Sequence, residues 1–402
     1  MPPVALYVHV PFCLSVCPYC DFVVYGGRQA RGEGNRLGAF SRALEGELEL
    51  RADALDDRFG TARPALRSMY LGGGTPSLLP VGQIERLIER VRLRYRLTVD
   101  AEITLEANPG PTELGDLHGF RSVGVNRLSI GAQSLQGAEL RRLGRRHEPD
   151  DVIRAVEAAA TAGFENMSLD LLYDIPGQTL ESWSDTLGRV AGLPLSHVSA
   201  YALTLDDPDG EGLTGPSGDH LPARPGARRW RERAFADQDA DRAAEMYALA
   251  EERLSQAGFR WYELSNWARP GFESRHNLCY WRREPYEALG PGAHAFDGDT
   301  LRRWNAARLD AYLAALTPSD GSVPRLPPGG SERLEAPDIA AEESILAFRL
   351  AEGLATRDAL DERVSPALSW AAAEGLLEAE ADRVHLSMRG RLLSNELFVR
   401  LL

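Results

Sequence analysis

Ala5-Leu-Tyr-Val-His-Val10-Pro-Phe-Cys13-Leu-Ser-Val-Cys17-Pro-Tyr-Cys20 sets an apolar run directly in front of three cysteines. The run 5–10 has strand composition, and Pro11 ends it. The three thiols then share one tight loop. Only one other cysteine, Cys279, occurs in the 402 residues. A disulfide scaffold would use more cysteines and spread them. Spacing this close reads as metal ligation. Two chemistries fit. Three thiolates can hold three irons of a cubane cluster and leave the fourth iron open to a substrate. Zinc is the alternative, and a structural zinc site needs a fourth ligand such as Cys279 or His9.

Outward from the loop, short apolar runs alternate with helical patterns. Strands are expected over 5–10, 68–71, 101–106, 127–130, 166–172 and 197–202. Helices are expected over 36–55, 81–95, 111–120, 149–162 and 180–190, with Asp150 or Asp151 suited to the first turn of the fourth. This βαβ spacing predicts a parallel sheet in an α/β domain. Six units are too few for a closed eight-fold barrel, so the expectation is a partial (β/α)6 barrel over 1–205. A Gly/Pro/Asp/Arg-rich stretch, 206–237, reads as a flexible insertion. An accessory region follows over 238–317, then a linker over 318–337. The last part, 338–402, has the pattern of a smaller, mainly helical, winged-helix-like domain.

Composition narrows the function classes. Net charge is −14, a poor match to nonspecific nucleic-acid binding. All 45 basic residues are arginine, which excludes a Schiff-base or phosphate-loop lysine. No run of 18 apolar residues occurs and no signal-peptide pattern precedes the first strand, so a cytoplasmic protein without a membrane anchor is expected.

Polar motifs fall at the C-terminal ends of the predicted strands, where such sheets carry function. Leu71-Gly-Gly73-Gly74-Thr75 allows close backbone approach to a ligand, or serves as a plain strand–helix turn. Glu102 and Glu106 share a strand face. Gln133 lies just past another strand. Arg145 suits a carboxylate bound through two nitrogens, and Arg146 is an equal choice by sequence. Asp170 sits inside an apolar run, where an unpaired carboxylate is costly.

The stretch Tyr7-Val-His-Val-Pro-Phe-Cys13-xxx-Cys17-x-Tyr19-Cys20-Asp-Phe22 resembles the radical S-adenosylmethionine superfamily. More narrowly it is similar to the oxygen-independent coproporphyrinogen III dehydrogenase-like group and, within that group, to its heme chaperone branch. The resemblance implies a [4Fe-4S] cluster on Cys13, Cys17 and Cys20. It also implies S-adenosylmethionine held by Tyr7, Tyr19, Gly73, Gly74, Thr75, Glu106, Gln133, Arg145 and Asp170.

A second motif is dense in aromatics: Arg275-His276-Asn277-Leu-Cys279-Tyr280-Trp281. Aromatic faces with an imidazole suit a flat, iron-centred macrocycle, or a satisfied polar cluster that locks a loop. His-Asn-x-x-Tyr-Trp resembles the signature of the heme chaperone branch. It makes His276, Asn277, Cys279, Tyr280 and Trp281 the expected heme-binding residues. His294, in the glycine segment 289–294, reads as a loop residue.

The resemblance implies a protein that binds heme and delivers it to apoproteins, with a flavodoxin or ferredoxin as electron donor. The competing expectation is oxidative decarboxylation of coproporphyrinogen III by a 5′-deoxyadenosyl radical. Three features favour the chaperone. Phe22 stands where the dehydrogenase pattern has a fourth cysteine, the cluster loop is reached by residue 13, and the His-Asn-x-x-Tyr-Trp element is present.

Overall fold

The run Ala5–Val10 is buried along nearly its whole length, as expected for a strand covered on both faces. A computed structural model describes residues 1–205 and 207–402. Asp206, the first residue of the expected insertion, lies outside them.

The first half is a regular alternation. Strands β1 (Ala5–Val10), β2 (Leu66–Gly73), β3 (Leu97–Ala107), β4 (Arg127–Gln133), β5 (Asn166–Tyr173) and β6 (His197–Ala202) pair in parallel, each with the next. Between them run α1 (Leu37–Phe59), α2 (Val81–Arg94), α3 (Leu117–Ser122), α4 (Gly137–Arg142), α5 (Pro149–Thr161) and α6 (Leu180–Ala191). Their apolar faces and the strands form one core that includes Leu48, Ile88, Val156 and Trp183. The third expected helix starts later than its pattern suggested, at Leu117. Asp116 caps it by accepting from the Gly119 N–H at 2.9 Å. In α5, Asp151 takes the first-turn role, accepting from the Glu148 N–H at 2.8 Å.

The sheet does not stop at six strands. It has twelve, and the six others come from residues past 259. After α7 (Pro225–Phe235) and α8 (Ala240–Gln256), β7 (Arg260–Glu263) and β8 (Asn266–Ala268) form an antiparallel hairpin on β6. The chain then crosses through α9 (Arg275–Trp281) to β9 (Tyr286–Leu289), which lies parallel to β1 on the opposite edge. Strands β10 (His294–Phe296), β11 (Leu301–Asn305) and, after α10 (Leu309–Leu316), β12 (Gly329–Arg333) continue antiparallel. Thus β12 lies within the stretch expected to be a linker, and α7 lies within the expected insertion.

A smaller unit closes the chain. Helices α11 (Ala336–Arg349), α12 (Thr356–Ala359), α13 (Ser365–Ala373), α14 (Met388–Leu392) and α15 (Ser394–Leu401) surround a three-stranded sheet of β13 (Leu354–Ala355), β15 (Arg383–Leu386) and β14 (Leu377–Glu380). Phe348, Leu368, Leu386 and Leu397 form its own core. This is the winged-helix arrangement the sequence pattern suggested.

Candidate functional site

The cysteine loop is tied back to β1 by the backbone. Tyr25 N–H donates to the Pro11 carbonyl at 2.7 Å and Cys13 N–H to the Tyr25 carbonyl at 3.1 Å. Cys13, Cys17 and Cys20 all line one cavity of about 490 Å³ at the C-terminal ends of the parallel strands. Two thiols receive protein donors: Thr75 Oγ1 at 3.3 Å from Cys13 Sγ, and Arg145 Nη1 at 3.9 Å from Cys17 Sγ. Burial pushes the Cys13 thiol up to about 11 and raises Cys20 as well. Donors aimed at sulfur favour thiolate, and a bound metal overturns the burial effect by deprotonating the thiol. Among the described residues, no group of three or more His, Cys, Asp or Glu is gathered as a site for a single ion.

The glycines at the end of β2 are demanded by the protein itself. A Cβ on Gly73 would sit 2.3 Å from the His9 ring, and one on Gly74 would sit 2.6 Å from the Phe12 carbonyl oxygen. Gly73 also has φ of +105°, which side chains avoid. This close packing lets the Gly73 N–H donate to Glu106 Oε2 at 2.8 Å, while Tyr70 donates to Oε1 at 2.7 Å. Burial nonetheless pushes the Glu106 carboxyl up to about 7.

Across the cavity, Arg145 donates through Nη2 to Asn108 Oδ1 and to the Gly131 carbonyl, both at 2.6 Å. Its buried Nε has no hydrogen-bond partner. Arg146 is exposed, so the structure separates two residues that sequence left equivalent. Gln133 has φ of +68°, and the β4–β5 register shifts beside it. Such irregularities re-aim side chains, and Gln133 faces the cavity. Asp170 accepts from Ser129 Oγ at 3.0 and 3.1 Å and from Ser168 Oγ at 3.3 Å; burial raises its pKa.

Two expected contacts sit behind the wall. Tyr7 donates to or accepts from His9 Nδ1 at 2.9 Å, and Thr75 is fully buried. His9, the possible fourth zinc ligand, uses its other nitrogen on the Val23 carbonyl at 2.8 Å. Several cavity residues were missed, among them Tyr70, Asn108, Tyr201 and Arg127. Arg127 is 2% exposed, its Nε lacks a hydrogen-bond partner, and the charges of Glu102 and Asp170 act on it. An arginine inside the apolar run 127–132 carries the same signal that flagged Asp170.

The Radical SAM superfamily model matches residues 7–190. A "Heme chaperone HemW" from Mycobacterium tuberculosis is 38% identical over 98% of this chain and 93% of its own length. Its Escherichia coli counterpart is 32% identical over 99% and 97%. The chain belongs to the HemW heme chaperone family. Among solved structures, the coproporphyrinogen III oxidase HemN from Escherichia coli, a radical SAM enzyme, superposes with a TM-score of 0.77. It is 24% identical over the whole of this chain and 90% of that one, so the two share the fold. Radical SAM membership implies a [4Fe-4S] cluster and S-adenosylmethionine. Three free thiols on one cavity wall fit the cluster, and the partnerless Arg145 Nε fits an anionic ligand beside it.

The HemW-type His-Asn-x-x-Tyr-Trp element lies mostly away from this cavity; Asn277 alone lines it. His276 is 1% exposed. Its Nδ1 meets Ser68 Oγ at 2.9 Å and its Nε2 meets Tyr280 OH at 2.8 Å, so neither ring nitrogen is open to iron. Burial lowers its pKa to about 3. Cys279 is buried and donates to the Arg275 carbonyl at 3.2 Å. Trp281 packs under the Arg349 guanidinium at 4.3 Å. Glu102 receives the Arg275 and His276 N–H groups at 3.2 and 3.1 Å. These contacts tie the element to β2, β3 and α11.

Proposed function

We propose that this chain is a heme chaperone that binds heme and delivers it to apoproteins. The observation that carries the reading is full-length similarity to proteins named heme chaperone, together with Phe22 at the position of the dehydrogenase's fourth cysteine. In this reading Cys13, Cys17 and Cys20 hold the [4Fe-4S] cluster. S-adenosylmethionine lies across Gly73, Gly74, Glu106, Gln133, Arg145 and Asp170, with Tyr19 beside its adenine and Tyr7 and Thr75 supporting from behind. The cluster, when bound, supplies a single electron to the sulfonium ligand.

The protein's own residues bind and orient. Arg145 places a fixed positive charge where a carboxylate would lie, and Glu106 and Asp170 offer acceptors for hydroxyl or amino groups. Tyr70, Ser129 and Ser168 hold those carboxylates in place. A small flavodoxin or ferredoxin serves as donor, and the protein works in the cytoplasm, which keeps its thiols reduced. Among the described residues, no helix is long and apolar enough to cross a membrane.

The test is direct. Hemin added to the purified chain binds saturably and passes to an apo-b-type hemoprotein, followed by the change in absorption. In parallel, anaerobic protein with reductant and S-adenosylmethionine leaves coproporphyrinogen III unchanged. Formation of protoporphyrinogen overturns the chaperone reading in favour of the dehydrogenase.

A further inference from the structure

The chain as a whole is acidic, with a net charge of −14, yet α7 runs the other way with four arginines and one glutamate. Arg228, Arg229 and Arg233 stand exposed, while Trp230 and Arg231 are half-buried. Phe235, the last residue of the helix, is 71% exposed. Arg228 pairs with Asp209 at 2.9 Å. Among the described residues, no acidic side chain lies within 4.0 Å of Arg229 or Arg233. These two are four residues apart on one helix, so their charges repel and the helix gains nothing from them.

The helix lies on the cysteine loop. Arg231 donates to the Pro18, Tyr19 and Cys20 carbonyls at 3.3, 3.2 and 3.0 Å. The Trp230 ring lies 6.4 Å from that of Tyr19, and its Nε1 donates to the Arg142 carbonyl at 2.9 Å. Arg142 belongs to a second basic stretch, Arg141-Arg142-Leu-Gly-Arg-Arg146, in which Arg141, Arg142 and Arg146 are exposed. A Cβ on Gly144, inside that stretch, would sit 3.0 Å from Pro18. Two basic segments thus flank the same short piece of chain, the part of the loop that ends in Cys20.

A cluster on this loop takes its electrons one at a time from another molecule, and electron tunnelling falls steeply with distance. The donor therefore has to dock beside the loop. A patch of one sign steers a partner of the other and speeds association by about 10- to 1,000-fold. Weak electron-transfer encounters bury little area, below about 1,200 Å², so one helix and the neighbouring turn suffice. An exposed aromatic within a ring of arginines has the composition of such a contact. A nucleic acid is also anionic, but a chain with a net charge of −14 repels a long polyanion. A small acidic protein touches the patch alone.

We propose that the exposed face of α7, with Arg141, Arg142 and Arg146 beside it, docks a small acidic protein that carries single electrons. The donor gives one electron to the oxidised cluster and is itself oxidised by one, and no atom changes place. The inference rests on the cluster reading and names where its reductant binds. The test mixes full-length protein carrying a reconstituted cluster with reduced flavodoxin or reduced plant-type ferredoxin and follows the bleaching of the cluster by stopped flow. Arg229→Glu/Arg233→Glu lowers the second-order rate at least tenfold at low salt and flattens its dependence on ionic strength. Arg357→Glu, at a side chain 87% exposed in the C-terminal unit, leaves the rate unchanged. Photoreduced 5-deazariboflavin, a small neutral reductant, reduces the wild type and the double variant equally. Wild-type rates with both carriers in the double variant would overturn the docking site, and so would equal slowing with the carriers and with deazariboflavin. A patch whose reversal abolishes binding of RNA or anionic vesicles while the carrier rates stand unmoved would also overturn it. A wild-type protein that takes up no cluster would overturn the cluster reading instead.

Discussion

Burial pushes the Glu106 carboxyl up to about 7, above its ordinary 4.5, despite the donors Tyr70 and Gly73. The folded protein thus holds a proton there that the unfolded chain releases. Its contribution to stability is present below about 4.5 and is lost as pH rises through about 7. Glu106→Gln removes that loss. The variant's melting midpoint is expected to exceed wild type by a few degrees at pH 8 and to match it near pH 4. Its S-adenosylmethionine affinity is expected to fall at least tenfold by calorimetry. A site that trades stability for ligand binding behaves this way. Arg127 is the opposite case, a buried cation that balances Glu102 and Asp170. Arg127→Met leaves both carboxylates uncompensated and is expected to cost about 3–5 kcal/mol in urea unfolding.

At the scale of elements, α7 deserves a role that its sequence concealed. Arg231 donates to three successive carbonyls of the cysteine loop, Pro18, Tyr19 and Cys20, at 3.3, 3.2 and 3.0 Å. Trp230 lies 6.4 Å from the Tyr19 ring and donates to the Arg142 carbonyl at 2.9 Å. Arg231→Ala is expected to speed iron loss to a chelator several-fold, with the melting midpoint little changed. Arg231→Lys recovers only part of this, because an ammonium cannot fork across three acceptors. In sequence, Arg228-Arg-Trp-Arg-Glu-Arg233 falls within the stretch read as a flexible insertion. Strands β1–β6 were legible because each holds a stretch of buried residues, such as Ala101–Leu105 in β3 and His197–Ala200 in β6, bounded by turns. Strands β7–β12 were not, because they have three to five residues and lie in antiparallel pairs near the edges, where little periodicity accumulates. The cavity residues at strand ends were legible for the same reason as their strands. The placing of Tyr7 and His276 behind the wall depends on pairing register, which sequence does not display.

At the scale of the whole molecule, several ion pairs join the C-terminal unit to the rest of the chain, among them Arg283–Glu342, Arg391–Glu251 and Arg349–Glu263. Arg349, the last residue of α11, places Nη2 2.6 Å from Glu263 Oε1 and its guanidinium 4.3 Å from the Trp281 ring. Its carbonyl accepts from the Leu264 N–H at 3.0 Å, and Leu264 packs against the second core. Glu263 is fully buried and also accepts from Asn266 Nδ2 at 2.5 Å and the Ser265 N–H at 3.1 Å. Those neutral donors do not cancel its charge. Arg349→Ala therefore leaves a buried anion without its cation, a change expected to cost about 3–5 kcal/mol. Glu263→Gln alone strands the cation and also destabilises, though less, because Arg349 is partly exposed and can reach water. The double variant Glu263→Gln/Arg349→Ala removes both charges and is expected to be more stable than Arg349→Ala by about 1–3 kcal/mol. Urea denaturation of the four proteins in the cycle measures this coupling. Additive losses in that cycle would mean that this charge pair carries no part of the junction, which the packing of Leu264 and the other ion pairs would then hold.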